Sequence, residues 1–181
     1  MANTIASVNA EHLWIDWDSY HQAIEALALL IHHSQWTFDQ ILCLARGGLR
    51  PGDVLSRIFD VPLAILSASS YVENAGTQRG ELSIAPALTL ARGDLVGRIL
   101  LVDDLVDSGI TLRKVQRYLE EKHPSVKEVR SAVIWRKQSC TVAPDYCLHT
   151  LAGDPWIHQP FEHYDSMTPE QLSMKTEAKI S

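Results

Sequence analysis

The chain has 181 residues and a formal charge of −6, from 22 acids against 16 lysines and arginines. That length suits one domain with a sizeable core, and 46% apolar with 21% charged residues is a globular rather than a disordered composition. The acidic balance argues against a nucleic-acid-coating surface, no apolar run approaches the ~18 residues of a membrane span, and the three cysteines lack CxxC spacing, which argues against a disulfide framework or a zinc knuckle.

In chain order, Met1–Ala10 has neither a basic n-region nor an apolar h-region, so a secretory signal is not expected and a reducing cytoplasm is. Ser19-x-x-Gln22 reads as a capping box. Behind it Ile24, Leu27, Ala28 and Ile31 recur at helical spacing and predict a helix to about His32. Ile41–Ala45 has the length of a buried strand and ends at Arg46-Gly47-Gly48, after which Pro51 opens a helix through Val54, Leu55 and Ile58. Val61–Leu66 is a second strand. Ser69–Gly80 is polar and aperiodic and reads as a mobile loop. Arg98–Val102 is the clearest buried strand, closed by Asp103-Asp104. Asp107-Ser108-Gly109 then turns into a helix that buries Leu112, Val115 and Leu119 and stops near His123-Pro124. Val129–Trp135 and Tyr146–His149 are further strands. The tail from Ser166 is polar, with the caps of a small helix at Thr168–Gln171.

Strands alternating with helices predict an α/β fold, a mainly parallel sheet covered on both faces, in one domain with its core over about 14–165. Ligands of such sheets sit outside the carboxyl ends of the strands, where both glycine-bearing turns fall.

The chemistry concentrates in Leu100–Thr111. A dry strand delivers two carboxylates to the sheet edge, and the chain turns through Ser108 and Gly109 into a helix. The free N–H groups of that helix, with the Ser108 and Thr111 hydroxyls, make a phosphate cradle. Paired carboxylates beside it suit a sugar diol, directly or through Mg²⁺ and its waters. The spacing matches a ribose 5-phosphate. The plain alternative is an acidic turn in which Asp107 is simply a helix N-cap.

The segment resembles the phosphoribosyl-pyrophosphate signature of type I phosphoribosyltransferases: four apolar residues, two acids, then a Ser/Thr-Gly-x-Thr turn. Ala45–Gly52, Ser70-Tyr71 with Gln78–Leu82, Lys137 and Trp156–Glu162 follow the same family in order, with the bacterial xanthine-guanine and hypoxanthine branch the most similar. The resemblance covers roughly Trp14–Asp165 and implies the family's fold, with a small base-binding hood and a mobile flap. It implies a pentosyltransferase of purine salvage, which joins a 6-oxopurine to phosphoribosyl pyrophosphate and releases pyrophosphate, with Mg²⁺ as cofactor and a homodimer or homotetramer as assembly.

By that resemblance Arg46, Gly47 and Gly48 bind pyrophosphate, with a cis peptide expected at Ala45–Arg46. Asp103 and Asp104 take the ribose and, largely through water, the metal. Asp107, Ser108, Gly109, Ile110 and Thr111 cradle the 5′-phosphate, and Asp107 is also the catalytic proton acceptor at purine N7. Lys137 binds O6, Trp156 stacks on the ring, and the Ile157 backbone lies at the exocyclic position. Ser70, Tyr71 and Arg79 belong to the flap. The eight histidines form no metal-ligand pattern, and Trp14 and Trp17 read as core or subunit contacts. Arg50 stands where similar proteins carry an apolar or small residue. Two rivals remain: a non-catalytic regulator that binds phosphoribosyl pyrophosphate, and a transferase for another base.

Overall fold

The computed structural model describes residues 11–70, 82–90 and 93–180, with the backbone alone at 68–70, 82–87 and 175–180. Strand β1 (His12–Trp14) precedes α1 (Trp17–His33), β2 (Gln40–Ala45), α2 (Leu49–Phe59), β3 (Leu63–Ser70) and β4 (Leu82–Leu90). Then come β5 (Gly97–Val106), α3 (Ile110–Lys122), β6 (Val126–Lys137), β7 (Tyr146–Leu151), β8 (Trp156–His158), a 3-10 turn (Glu162–Ser166) and α4 (Pro169–Ile180).

The main sheet has six strands in the order β4-β3-β2-β5-β6-β7. All neighbours run parallel except β4, which lies antiparallel on β3. β4 was not expected from the sequence, although Leu82, Ile84, Leu88 and Leu90 alternate at strand period. Pro86 masks that signal, and its missing N–H is tolerated because β4 is an edge. Next to it, β3 starts at Leu63 rather than Val61 and continues to Ser70.

Helix α1 starts earlier than the Ser19 capping box predicts. Asp16 is the N-cap, and its Oδ1 accepts the Ser19 N–H at 2.7 Å. A carboxylate there satisfies an open donor and suits the positive helix end, which Ser19 as a cap would match only in part. The expected capping box at α4 does form: Gln171 Oε1 accepts from Thr168 N–H at 2.9 Å, and Thr168 Oγ1 from Gln171 N–H at 3.3 Å.

Both faces of the sheet are covered. Tyr20, Ile24, Leu27 and Ile31 of α1 pack with Ile41, Cys43, Leu100, Val102 and Ile134 on one side. Leu112, Val115 and Leu119 of α3 pack with Leu42, Leu44, Ile99, Leu101 and Val133 on the other. Each such aliphatic side chain, fully buried, contributes about 1.5–3 kcal/mol. The alternation along β2 and β5 explains why each is a continuous apolar run: both faces are inside. β5 does not end at Asp103-Asp104. It continues to Val106 because Asp103 and Leu105 stay in register with Val133 and Trp135 of β6.

A second, two-stranded parallel sheet pairs β1 with β8, His12 opposite Trp156. Strands of three residues carry too little periodicity to be foreseen. This pair is the hood, and Ile157 anchors it in the α1-side core. Trp14 and Trp17 are not core residues. Trp14 is largely exposed and stacks on His158 at 3.7 Å, and Trp17 lies partly exposed against Tyr20 and Phe161.

Candidate active site

The pyrophosphate turn forms where β2 leaves the sheet. The Ala45–Arg46 peptide is cis, as expected, and the Gly48 N–H donates back to Leu44 O at 2.8 Å. Close approach of neighbours favours glycine at both positions, and at Gly48 the neighbour is backbone. A Cβ on Gly47 would collide with the Asp104 carboxylate, and one on Gly48 with the backbone oxygen of Val102. Arg46 is exposed and pairs with Asp165 across the opening, Nη2 to Oδ1 3.3 Å.

Beside this turn lies a cleft of about 570 Å³, lined among others by Arg46, Gly47, Arg50, Asp104, Gln159 and Glu162. The two carboxylates of β5 differ in their surroundings. Asp104 faces the cleft, and the Gln159 side-chain N–H donates to its Oδ2 at 2.5 Å. Asp103 does not line the cleft, and its Oδ1 accepts the Asp104 N–H at 3.0 Å. Burial, reinforced by the Asp104 charge, pushes the Asp103 carboxyl well above the ordinary carboxylate range, against the opposing pull of the Asp104 and Gly48 N–H groups. Burial also raises the Glu162 carboxyl.

The donor set fits a hydrated divalent cation at the cleft. Asp104 and Glu162 are hard oxygen donors at one opening, and Mg²⁺ keeps most of its water. No group of three or more acidic, His or Cys side chains poised to cage a metal is present among the described residues.

The phosphate loop follows β5. Gly109, not Asp107, is the N-cap of α3, at φ 82°, and makes no side-chain cap bond, while the Ser108 hydroxyl accepts the Ile110 N–H at a long 3.4 Å. A left-handed residue has to be glycine here. Its approach to the β6–β7 connection adds a second reason, since a Cβ would lie 2.5 Å from Val142 Cβ. Thr141 braces the loop, donating to Ser108 O from its N–H at 3.3 Å and from its hydroxyl at 3.2 Å. The first turn of α3 holds no acid, so its positive end stays open to an anion beside Ser108, Ile110 and Thr111.

Asp107 and Lys137 are neighbours because Val106 and Arg136, one residue before each, are register partners in β5 and β6. Lys137 Nζ stands 3.3 Å from Asp107 Oδ1, with the lysine side chain 16% exposed and the carboxylate 49%. The two groups assigned to O6 and N7 of a purine thus sit together. Trp156 is 61% exposed on the hood, an open aromatic face, while Ile157 is buried. Ser70 ends β3, and Tyr71 and Arg79 lie outside the described residues, as does most of the expected flap.

Sequence reasoning gave no role to Gln159, Glu162 or Thr141. Gln159 and Glu162 stand inside the Trp156–Glu162 motif, which was the available signal. For Thr141 no signal existed, since its partner Ser108 is 33 residues away.

Residues 16–166 match the phosphoribosyl transferase domain family.

The chain belongs to that family.

Among its relatives, the xanthine-guanine phosphoribosyltransferase of Gluconobacter oxydans (strain 621H) is 31% identical over 149 residues, 82% of this chain and 83% of that protein. The enzyme of the same name from Idiomarina loihiensis is 32% identical over 155 residues, 83% and 89% of the two chains. A crystal structure of purine phosphoribosyltransferase from Pyrococcus horikoshii OT3 has 30% identity and a TM-score of 0.68, covering 83% of this chain and 94% of that one. The matched residues take in the six-stranded sheet, the cis turn after β2 and the acidic end of β5.

Proposed function

We propose that the chain is a purine salvage phosphoribosyltransferase, which converts phosphoribosyl pyrophosphate and guanine, xanthine or hypoxanthine into the nucleoside 5′-monophosphate and pyrophosphate. The observation that carries this reading is the Lys137–Asp107 pair, 3.3 Å apart, beside the acid-free first turn of α3. A lysine donor suits a 6-oxo group and is mismatched to the 6-amino group of adenine.

N9 of the base attacks C1′ of the ribosyl group with inversion, and the C1′–O bond to pyrophosphate breaks. Asp107 accepts the proton released at N7, and Lys137 donates to O6. The open N-terminus of α3 with Ser108 and Thr111 holds the 5′-phosphate. Gly47 and Gly48 bring backbone to the pyrophosphate, with charge from Arg46. Asp104 faces the ribose, and Asp103 backs it from within the strand. Trp156 stacks on the purine. Asp104 and Glu162 would hold Mg²⁺ through water, and the ion, when bound, neutralises charge on the departing pyrophosphate. The assembly is a homodimer or homotetramer.

The test is nucleotide formation from each of four bases with phosphoribosyl pyrophosphate and Mg²⁺. Product from the three 6-oxopurines and none from adenine is expected. Adenine as the preferred base would remove Lys137 from the reading, and no product from any base would leave the regulator.

A further inference from the structure

Arg50 stands in the first turn of α2, directly after the pyrophosphate turn. A cation is a poor neighbour for the positive end of a helix. That turn contains no acid, and its N-cap Gly48 offers no side-chain oxygen. Among the described residues no carboxylate forms an ion pair with the Arg50 guanidinium. Arg46, in contrast, is partly neutralised by Asp165.

The Arg50 side chain is nevertheless held. Its guanidinium carbon lies 3.9 Å from the ring centroid of Phe161 and 5.8 Å from that of Trp17. Stacking on aromatic faces orients a guanidinium while leaving its N–H donors free. Arg50 lines the same cleft as Gly47, Arg46 and Asp104. The cleft wall carries a second unfilled polar position. Gln159 is 7% exposed, and its Oε1 has no hydrogen-bond partner among the described residues. An unneutralised, pre-oriented cation beside an uncapped helix start is a site for an anion with several phosphoryl oxygens.

Building on the proposed phosphoribosyl transfer, we infer that Arg50 is a binding residue for the pyrophosphate group, both on phosphoribosyl pyrophosphate and on the released product. Arg46 and Arg50 then approach that group from the turn and from the helix, and Phe161 of the segment after the hood fixes the second. This gives Arg50 a role that an apolar residue at the same place could not perform.

The test compares wild type, Arg50→Leu and Arg50→Lys. Leucine keeps an apolar contact with Phe161 and removes the charge. Calorimetric titration with pyrophosphate in magnesium chloride reads binding without turnover, and steady-state rates give the KM for each substrate. Arg50→Leu should weaken pyrophosphate binding about tenfold or more and raise the KM for phosphoribosyl pyrophosphate alike. The purine KM and the melting temperature should stay at wild-type values, and Arg50→Lys should recover part of the loss. Equal pyrophosphate affinity in wild type and Arg50→Leu overturns the assignment. So does a loss shared equally by the purine, which marks a structural role, or a wild type that binds no pyrophosphate. A wild type that binds pyrophosphate yet forms no nucleotide defeats the transfer reaction instead, and calorimetry alone then decides for or against Arg50.

Discussion

Asp107 carries the sharpest demand on a single side chain. It has to be an ionised acceptor at N7, and Lys137 at 3.3 Å is the charge beside it. Asparagine keeps the shape and hydrogen-bonding oxygen but cannot take up a proton. Asp107→Asn is therefore expected to lower kcat by about 100-fold, the lower range for loss of a general base. The Kd for phosphoribosyl pyrophosphate should change by less than about threefold, because the α3 N-terminus carries that binding. Pre-steady-state turnover and equilibrium binding on the same preparation check both numbers. Equal losses in turnover and affinity would make Asp107 a part of the phosphate cradle and nothing more. Lys137 and Asp107 also show what a sequence conveys at this scale: both residues were legible as chemistry. Their contact was not, since it depends on the β5–β6 register.

At the scale of elements, adjacent glycines in the turn between β2 and α2 answer to different neighbours. Gly48 abuts the Val102 backbone, which cannot move without disturbing β5. The nearest neighbour of Gly47 is the Asp104 carboxylate, a side chain that can swing. Gly48→Ala should thus cost about 2–3 kcal/mol of stability, in the range of overpacked cores. Gly47→Ala should cost less stability and displace Asp104 from Gln159, lowering activity in a protein that melts nearly normally. Chemical denaturation of both variants, set beside their rates, separates the two cases. Equal stability losses would refute the distinction. The central strands and helices α1, α2 and α3 were legible because burial on both faces or on one helical stripe leaves a long apolar record. β1 and β8 were not, being three residues each. The end of β5 was misread because polar residues usually close a strand, whereas here the ladder with β6 carries two carboxylates inside it.

For the molecule as a whole, the family match ends at residue 166, and α4 begins at Pro169. The described part of that helix is exposed, with Leu172 at 47% and Met174 at 70%. Neither hydrophobic cluster draws on the described side chains of α4, residues 169–174. A chain ending at Met167 is accordingly expected to melt within about 2 °C of the full chain, since a loss under ~1 kcal/mol shifts a domain of this size by only a few degrees. Calorimetry on both chains checks this, and a drop of ~10 °C would show that α4 belongs to the folding unit.

The pairing of β1 with β8 has a practical bearing. Glu11 O accepts the Trp156 N–H at 2.9 Å, so the polypeptide enters the domain alongside the aromatic platform. A bulky label attached at Glu11 would therefore lie beside Trp156, on the face proposed to stack on the base. Labels meant to leave base affinity untouched belong at the other end.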